Sequence, residues 1–381
     1  MKIVHIINSL KKGGAEGNLY RLCKFHKKKY KDKVKIIIIT LINNGFYESE
    51  LKKIGISIYS LNFNEDNKSL NIIKKILKFR KLIKNQSPDI IQSWMYHANF
   101  LTLFIQKKFY DKLFWNIRHS ELNFKISKKL TIFLSIICGI FSKLIPKKII
   151  YCSERSIKFH ENNHFYVKNK SILIYNGCNE KNYYSSKYLR SSFRKKNKIK
   201  KTDIILGYAG RYAKQKNIPS LLYAFSKIKK NYDNIYLYMV GKNINFKNKK
   251  LLSQVKNQKI KNRLFFLNEQ KSLLKFYNGI DLLILPSLSE SFPNVIPESM
   301  LCSTPVLSTN TGCSKTIIGK YGFIITKNSK QTISSKLDKV IKDYVYKKKE
   351  WALLKKNSRI QIKKNFSISK MANRYIQHWI S

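Results

Sequence analysis

A chain of 381 residues is too long for one ordinary core, so two domains of about 150 to 200 residues are expected, and 43% hydrophobic residues with no long Pro, Gly or Ser tract exclude a largely disordered polymer. The formal charge is +55, from 76 Lys and Arg against 21 Asp and Glu. The cations are spread along the chain among Ile and Asn, as at Lys27 to Lys29, Lys74, Lys75, Lys229 and Lys230, so no clustered nucleic-acid footprint stands out; the surface suits anionic headgroups or diphosphate-bearing substrates.

From the first residue, short β-branched runs alternate with helical patterns: KIVHIIN, AEGNLYRLCKFH, VKIIIIT, YESELKKIG, SIYSLN and LNIIKKILKFRKLIKN, continuing through PDIIQSW, LFWNIRH, KKIIYCS and SILIYNG. Continuous apolar strands separated by helices predict a parallel sheet covered on both faces. The opening MKIVHIIN runs straight into a strand, so no signal peptide is expected. The apolar run 130–141, LTIFLSIICGIF, lies between Lys128 and Lys129 on one side and Lys143 on the other; it is too short to span a bilayer and reads as a buried or a membrane-dipping helix. After Gly177 the polar stretch NEKNYYSSKYLRSSFRKKNKIKKT reads as a linker. The alternation restarts with DIILGYAG, IPSLLYAFSKIKK, NIYLYMVG, RLFFLNE, SLLKFYNG, DLLILPS and PVLST. The expected division is a first doubly wound domain over 1–185, a second over 186–360, and an amphipathic tail over 361–381 that packs back on the first. Six dispersed cysteines without a C-x-x-C pair fit a reduced, intracellular compartment.

Ligands of open parallel sheets bind beyond the carboxyl ends of the strands, and two facing sheets would share one cleft, so residues just after strands are the candidates. NSLKKGGAEG places Gly13 and Gly14 ahead of a helix, where thin backbone and free N–H groups can meet a phosphate, although a tight turn also uses glycine and the dinucleotide spacing is absent. QSWMYHANF puts His97 at a strand exit, able to bond a sugar hydroxyl or move a proton, and NIRHSE offers Arg118 and His119; lone histidines there are as readily structural. GYAGRYAKQKN carries Arg211 and Lys216, a fork and a point charge suited to a diphosphate. DLLILPSL is a buried strand with Glu290 at its exit, and Glu298 follows Pro297 in the next helix's first turn, where the macrodipole alone favours a carboxylate by roughly 0.3–1 kcal/mol. SFPN between them adds backbone N–H groups at Ser291, Phe292 and Asn294. Cations for a diphosphate and carboxylates for sugar hydroxyls together describe a nucleotide-sugar.

These residues, GGAE at 13–16, Arg211 with Lys216, Glu290 with Glu298, and SFPNVIPESM followed by STPVLST, resemble the retaining glycosyltransferases of family 4 over nearly the whole chain. That resemblance implies a GT-B fold, two facing Rossmann-like doubly wound α/β domains with a central cleft. WMYHAN, WNIRHS and IPKKIIYCS further resemble members that assemble bacterial surface polysaccharide or lipopolysaccharide. The resemblance implies that Arg211 and Lys216 hold the donor diphosphate, Glu298 the ribose, and Glu290 with the amides of Ser291, Phe292 and Asn294 the donor hexose. Gly13 and Gly14 would lie against the donor phosphates and sugar, and His97 would touch the transferred sugar. No cofactor or metal is implied: the sequence has no D-x-D, the two cations replace a divalent ion, and the departing phosphate helps take the acceptor proton. The expected acceptor is a saccharide or a polyprenyl-diphosphate-linked saccharide, which the basic helices and the apolar run 130–141 of the first domain would suit, reached by a cytoplasmic protein peripheral to the inner face of the cell membrane. Two departures bear on donor identity: Ser291 stands where Gly is commoner, and Lys315 lies where an acidic contact is frequent. The rival readings are an epimerase or glycogen-type synthase on the same fold, an inactive sugar-nucleotide scaffold, and a nucleic-acid binder. For the last, 23 Tyr and 22 Phe form no repeated aromatic-basic clusters, and no nucleic-acid partner is expected.

Overall fold

The computed structural model describes residues 1–43, 45–65, 69–122 and 127–381. They form two compact units, residues 1–177 with 368–381, and residues 178–367. The first therefore closes before the expected residue 185 and takes back only the last helix, not the whole of 361–381.

In the first unit β1 (Lys2–Ile7), β2 (Lys35–Thr40), β3 (Ser57–Ser60), β4 (Ile90–Trp94), β5 (Leu113–Ile117), β6 (Lys148–Tyr151) and β7 (Ser171–Leu173) form one parallel sheet in the order β3-β2-β1-β4-β5-β6-β7. The isoleucine runs bury both faces: Ile36 and Ile38 join one core while Ile37 and Ile39 join the other. The intervening helices are α1 (Gly14–Tyr30), α2 (Glu48–Lys53), α3 (Ser69–Gln86), α4 (Met95–Leu101), α5 (Lys129–Phe141) and α6 (Glu154–Asn163). Phe79 and Ile83 of α3 share a core with Ile132 and Cys138 of α5, whereas α1 lies in the opposite layer.

The second unit carries α7 (Lys187–Lys196), β8 (Ile204–Ala209), α8 (Ile218–Ile228), β9 (Ile235–Val240), α9 (Lys249–Asn257), β10 (Leu264–Phe266), α10 (Leu274–Gly279), β11 (Leu282–Leu285), α11 (Val295–Leu301), β12 (Val306–Thr309), α12 (Ser314–Ile318), β13 (Phe323–Ile325), α13 (Lys330–Tyr346) and α14 (Lys348–Asn365). Its six strands are parallel, in the order β10-β9-β8-β11-β12-β13. The edge strand β13, three residues long with two of them half-buried, is not among the strands the sequence pattern predicts.

The closing helix α15 (Ile368–Ile380) lies within the first unit, burying Met371, Ala372, Tyr375 and Trp379 on the α1 layer. Trp379 Nε1 donates to Gln92 Oε1 at 3.1 Å, and Asn116 Nδ2 donates to the Tyr375 hydroxyl at 2.6 Å. Its amphipathic period is thus spent on the first sheet.

The stretch expected as a linker is partly helical and anchored. Ser186 caps α7 by accepting from Leu189 N, and Arg190 and Arg194, one turn apart, reach Asp281 at the start of β11. Arg190 Nη2 lies 2.6 Å from Asp281 Oδ1, and Asp281 Oδ2 also accepts from Ile205 N at 2.8 Å. Arg194 spends its remaining protons on the carbonyls of Lys200 and Asp203. The charge pattern R-x-x-x-R is invisible as an anchor until its distant carboxylate is known. Removing a buried partner leaves uncompensated charge, so Asp281→Ala is expected to destabilise the second unit by about 3–5 kcal/mol and Arg190→Ala, a third exposed, by about 1 kcal/mol or less. Urea unfolding of the two variants beside the unsubstituted chain tests the ranking; equal midpoints for Asp281→Ala and the parent would contradict it.

Candidate active site

In the second unit the strand order reverses at β8, which pairs with β9 on one side and β11 on the other. Such a switch point opens a crevice at the carboxyl ends of the strands. Arg211 stands two residues after β8, and Lys216 follows in a short 3-10 turn; Glu290 stands five residues after β11. The fold closes their 74-residue separation: Lys216 Nζ lies 2.5 Å from Glu290 Oε1, with both side chains largely buried. Leu288 N donates to Gln215 O at 2.8 Å, tying the two strand-exit loops together beside the pair.

Glu290 is held from several directions. The Ser287 hydroxyl donates to the same Oε1 at 2.7 Å. The Ser287 carbonyl accepts from Thr309 Oγ1 at 2.6 Å and from Asn328 Nδ2 at 3.1 Å, which fixes the loop from β12 and from the start of α13. The backbone of Glu290 and Ser291 is covered by the TGC turn: Cys313 N donates to Ser291 O at 3.0 Å, and Gly312 sits at φ 54° with no room for a Cβ against the carbonyls of Glu290 and Ser291. Glycine is required there both by the left-handed backbone and by the close approach. Glu290 Oε2 and two of the three Lys216 protons have no partner among the described residues, so one carboxylate oxygen and part of an ammonium can meet a ligand. Arg211 is exposed, and its guanidinium has no ion pair among the described residues.

Glu298 occupies the first turn of α11 as expected, and its Oε2 accepts from the Tyr277 hydroxyl at 3.0 Å. Burial, with the Glu298 carboxylate beside it, holds the fully enclosed Tyr277 phenol well above its usual range, so it remains a donor. Tyr277 was not legible as a site residue: in SLLKFYNG it reads as one more apolar helix position. The Phe292 side chain is buried against Phe366, centroids 5.9 Å apart, so only its backbone could serve a ligand. Ser291 and Asn294 are half-buried, and Asn294 is the N-cap position of α11. Lys315, in the short helix α12, lies exposed.

The first unit has its own switch point between β1 and β4, whose last paired residues are Ile7 and Trp94. Gly13 and Gly14 are exposed at the start of α1, and the Glu16 carboxylate lies against Gly13. Partial burial raises the Glu16 pKa. Beyond β4, Met95 takes φ 72°, a left-handed conformation costly for a long side chain, and opens α4 with His97 half-buried two residues on. Burial, with Lys128 adding repulsion, lowers the His97 pKa, so a neutral imidazole is presented at neutral pH.

Arg118 and His119 make contacts within the first unit, and Arg118 Nε and His119 Nδ1 are buried without a hydrogen-bond partner among the described residues. Arg118 donates to Asn176 and to the Tyr375 hydroxyl and lies 5.0 Å over the Trp94 ring; His119 stacks nearly parallel on Tyr96 at 5.6 Å. Tyr96 bonds His160, whose Nδ1 is 2.7 Å from the Ser156 carbonyl. Since a carbonyl only accepts, Nδ1 carries the proton and Nε2 accepts from Tyr96: the neutral ring is fully satisfied.

Residues 190–361 match the family model described as Glycosyl transferases group 1. The chain is 29% identical over 156 residues to the capsular polysaccharide biosynthesis glycosyltransferase CapM of Staphylococcus aureus, covering 39% of this chain and 40% of that protein. It is 25% identical over 206 residues to the O-antigen biosynthesis glycosyltransferase WclY of Escherichia coli, covering 54% of each. The chain thus spans about half the length, or less, of these curated relatives. Anabaena HepE, solved with UDP and glucose, superposes with TM-score 0.83 at 19% identity over 100% of both chains. The fold is GT-B: two Rossmann-like units with parallel sheets.

Three fully buried histidines of the first unit are held neutral. Burial lowers His5 to about 3, His26 to about 4 and His160 to about 3. Depressed folded values mean that the unfolded chain binds more protons below pH of about 6.5, so stability present above that value is lost as pH falls toward 4. Moving from pH 7.5 to 5.5 should therefore cost the first unit about 1.4 kcal/mol for each of the three. Denaturant unfolding followed by tryptophan fluorescence reads this unit through Trp94, Trp115 and Trp379. His160→Gln should lower the pH sensitivity, and identical unfolding energies at the two pH values would refute the assignment.

Proposed function

We propose that this protein is a retaining, metal-independent glycosyltransferase that moves a hexose from a nucleotide-sugar to a saccharide acceptor in surface-polysaccharide or lipopolysaccharide assembly. The observation that carries the reading is the Lys216–Glu290 pair at the switch point, with Arg211 in the same loop after β8 and without an ion pair among the described residues, in a segment that matches the group 1 family model. The ammonium and guanidinium suit a donor diphosphate and the charge that builds on it as the glycosidic bond breaks. The free Glu290 oxygen suits hydroxyls of the hexose, and Glu298, oriented by Tyr277, suits the ribose diol. Ser291, Phe292 and Asn294 contribute backbone, with Ser291 narrowing the sugar side of the pocket. In the first unit, Gly13, Gly14 and the neutral His97 are assigned to the donor phosphates and transferred sugar. No cofactor takes part in this reading. With no dedicated base required, the leaving phosphate removes the acceptor proton.

The names of CapM and WclY, which concern capsular polysaccharide and O-antigen, support the polysaccharide assignment. A lipid-linked acceptor and a position peripheral to the inner membrane face complete the proposal; no described helix is long and apolar enough to cross a membrane.

Thermal unfolding with UDP-, GDP- and ADP-sugars tests the site, since a ligand of the native state raises the melting temperature by mass action. One nucleotide-sugar should stabilise the unsubstituted chain, and Glu298→Ala should bind it at least tenfold more weakly, about 1.4 kcal/mol. Glu290→Gln should keep the shift given by the free nucleoside diphosphate but lose the increment that the sugar adds. No response to any nucleotide, with salt-sensitive RNA binding instead, would favour the charge-driven rival.

A further inference from the structure

Helix α5 buries one face in the first unit's core through Ile132, Leu134 and Cys138. Its other face is apolar as well. Leu130, Phe133, Ile140, Phe141 and, just past the helix, Leu144 are between 41% and 71% exposed and recur at helical spacing along one outward stripe. Single exposed apolar residues are ordinary on a protein surface, but a contiguous stripe is not.

A second observation concerns the turn that lies against this helix. Gly139 leaves no space for a Cβ, because the His164 carbonyl packs onto it. His164 is tied to α5 by its bond to Ser135, and Tyr166 is buried in the core. Between these two anchors Phe165 takes φ 62° and is 68% exposed. A bulky residue in the left-handed region is strained, and here the strained residue presents its ring to solvent.

The segment that carries the stripe has charge of one sign, while the nearest acid in sequence to Phe165 is Glu161 of α6, which accepts from Ser171. Residues 127–148 contain no Asp or Glu, while Lys128 and Lys129 stand at one end and Lys143 and Lys147 at the other. Among the described residues Lys128, Lys129 and Lys143 have no ion-pair partner. In the same helical layer α3 has no acid either, and it exposes Ile72, Ile73 and Leu77 among its lysines. Thirteen residues make a helix of about 20 Å, short of the roughly 30 Å of a hydrocarbon core, so α5 can lie in a membrane surface but not cross it.

We propose that the outward stripe of α5, with Phe165, is a monotopic docking surface that enters the interfacial zone of an anionic bilayer while the flanking lysines meet lipid phosphates. A face buried about 5–10 Å, at the boundary of headgroups and acyl chains, matches an in-plane helix of this kind. Lysines at both ends would repel the same patch on a second copy, and the absence of acids in 127–148 matches an anionic partner surface. This deepens the reading of a lipid-linked acceptor and rests on it only for the acceptor: the surface can be tested without any sugar transfer.

The test is flotation of the full chain with vesicles of phosphatidylcholine containing 30% phosphatidylglycerol, beside vesicles of phosphatidylcholine alone. The chain should float with the anionic vesicles and at least tenfold less with the neutral ones. Phe133→Ser, Leu144→Ser and Phe165→Ser should each weaken flotation, and together at least tenfold; Lys128→Glu with Lys129→Glu should weaken it too. Nucleotide-sugar stabilisation should be unchanged in the serine variants, which separates failure of this surface from failure of the donor site. As a check independent of those variants, Leu144→Cys carrying an environment-sensitive fluorophore should shift to the blue on anionic vesicles. The proposal is overturned by a chain that ignores anionic vesicles, by serine variants that float as well as the parent, or by a dimer that the serine substitutions make monomeric.

Discussion

The reversal of strand order at β8 and β11 is the constraint on which the candidate site depends. Because these two strands pair directly, the chain leaving each passes the same point of the sheet edge, and residues far apart in sequence meet there. The Lys216–Glu290 bridge is the outcome. A pair this enclosed gains little net stability, since desolvation of both ions offsets much of their attraction. Its geometry is held by neighbours: Ser287 on the same carboxylate oxygen, Thr309 and Asn328 on the Ser287 carbonyl, and the Gly312 turn against the backbone. So dense a support for a marginally stabilising interaction is what a positioned binding group requires.

The parallel sheets are legible because buried strands write themselves as short apolar runs between helical patterns, clearest in KIVHII, KIIIIT and LLIL. Legibility failed where an element depends on a distant partner. Helix α7 reads as polar linker, because the reason for its order is Asp281, some ninety residues away. At the candidate site, Arg211, Lys216 and Glu290 could be picked out by chemistry in the loops after strands, and Glu298 by its place in the helix that follows, where the macrodipole offers it a structural reason as well. Tyr277 and Ser287 could not, because a tyrosine in an apolar helix and a serine after a strand are ordinary until their hydroxyls are seen on the two carboxylates. Arg118 is engaged with Tyr375 and Asn176 and His119 stacks on Tyr96, contacts that no local sequence pattern announces.

The scarcity of acid explains how the few carboxylates are used. With 76 basic side chains against 21 acidic ones, cations outnumber the carboxylates near any exposed Asp or Glu, and pairs such as Glu48–Lys52 or Asp343–Lys347 are surface contacts of little energetic consequence. The enclosed carboxylates behave differently. Asp281 gathers two guanidinium groups and a backbone N–H; Glu290 gathers an ammonium and a hydroxyl; Glu298 takes a tyrosine hydroxyl that burial keeps protonated. Each sits where cations or donors must be fixed in direction and not merely neutralised. The segment around α5 is the complement of this arrangement: no carboxylate at all, an apolar stripe and lysines at both ends. In a chain this basic, withholding acid from one surface leaves its lysines free for an outside anion, whereas placing acid inside a crevice limits the local positive potential to the two or three groups that face the ligand.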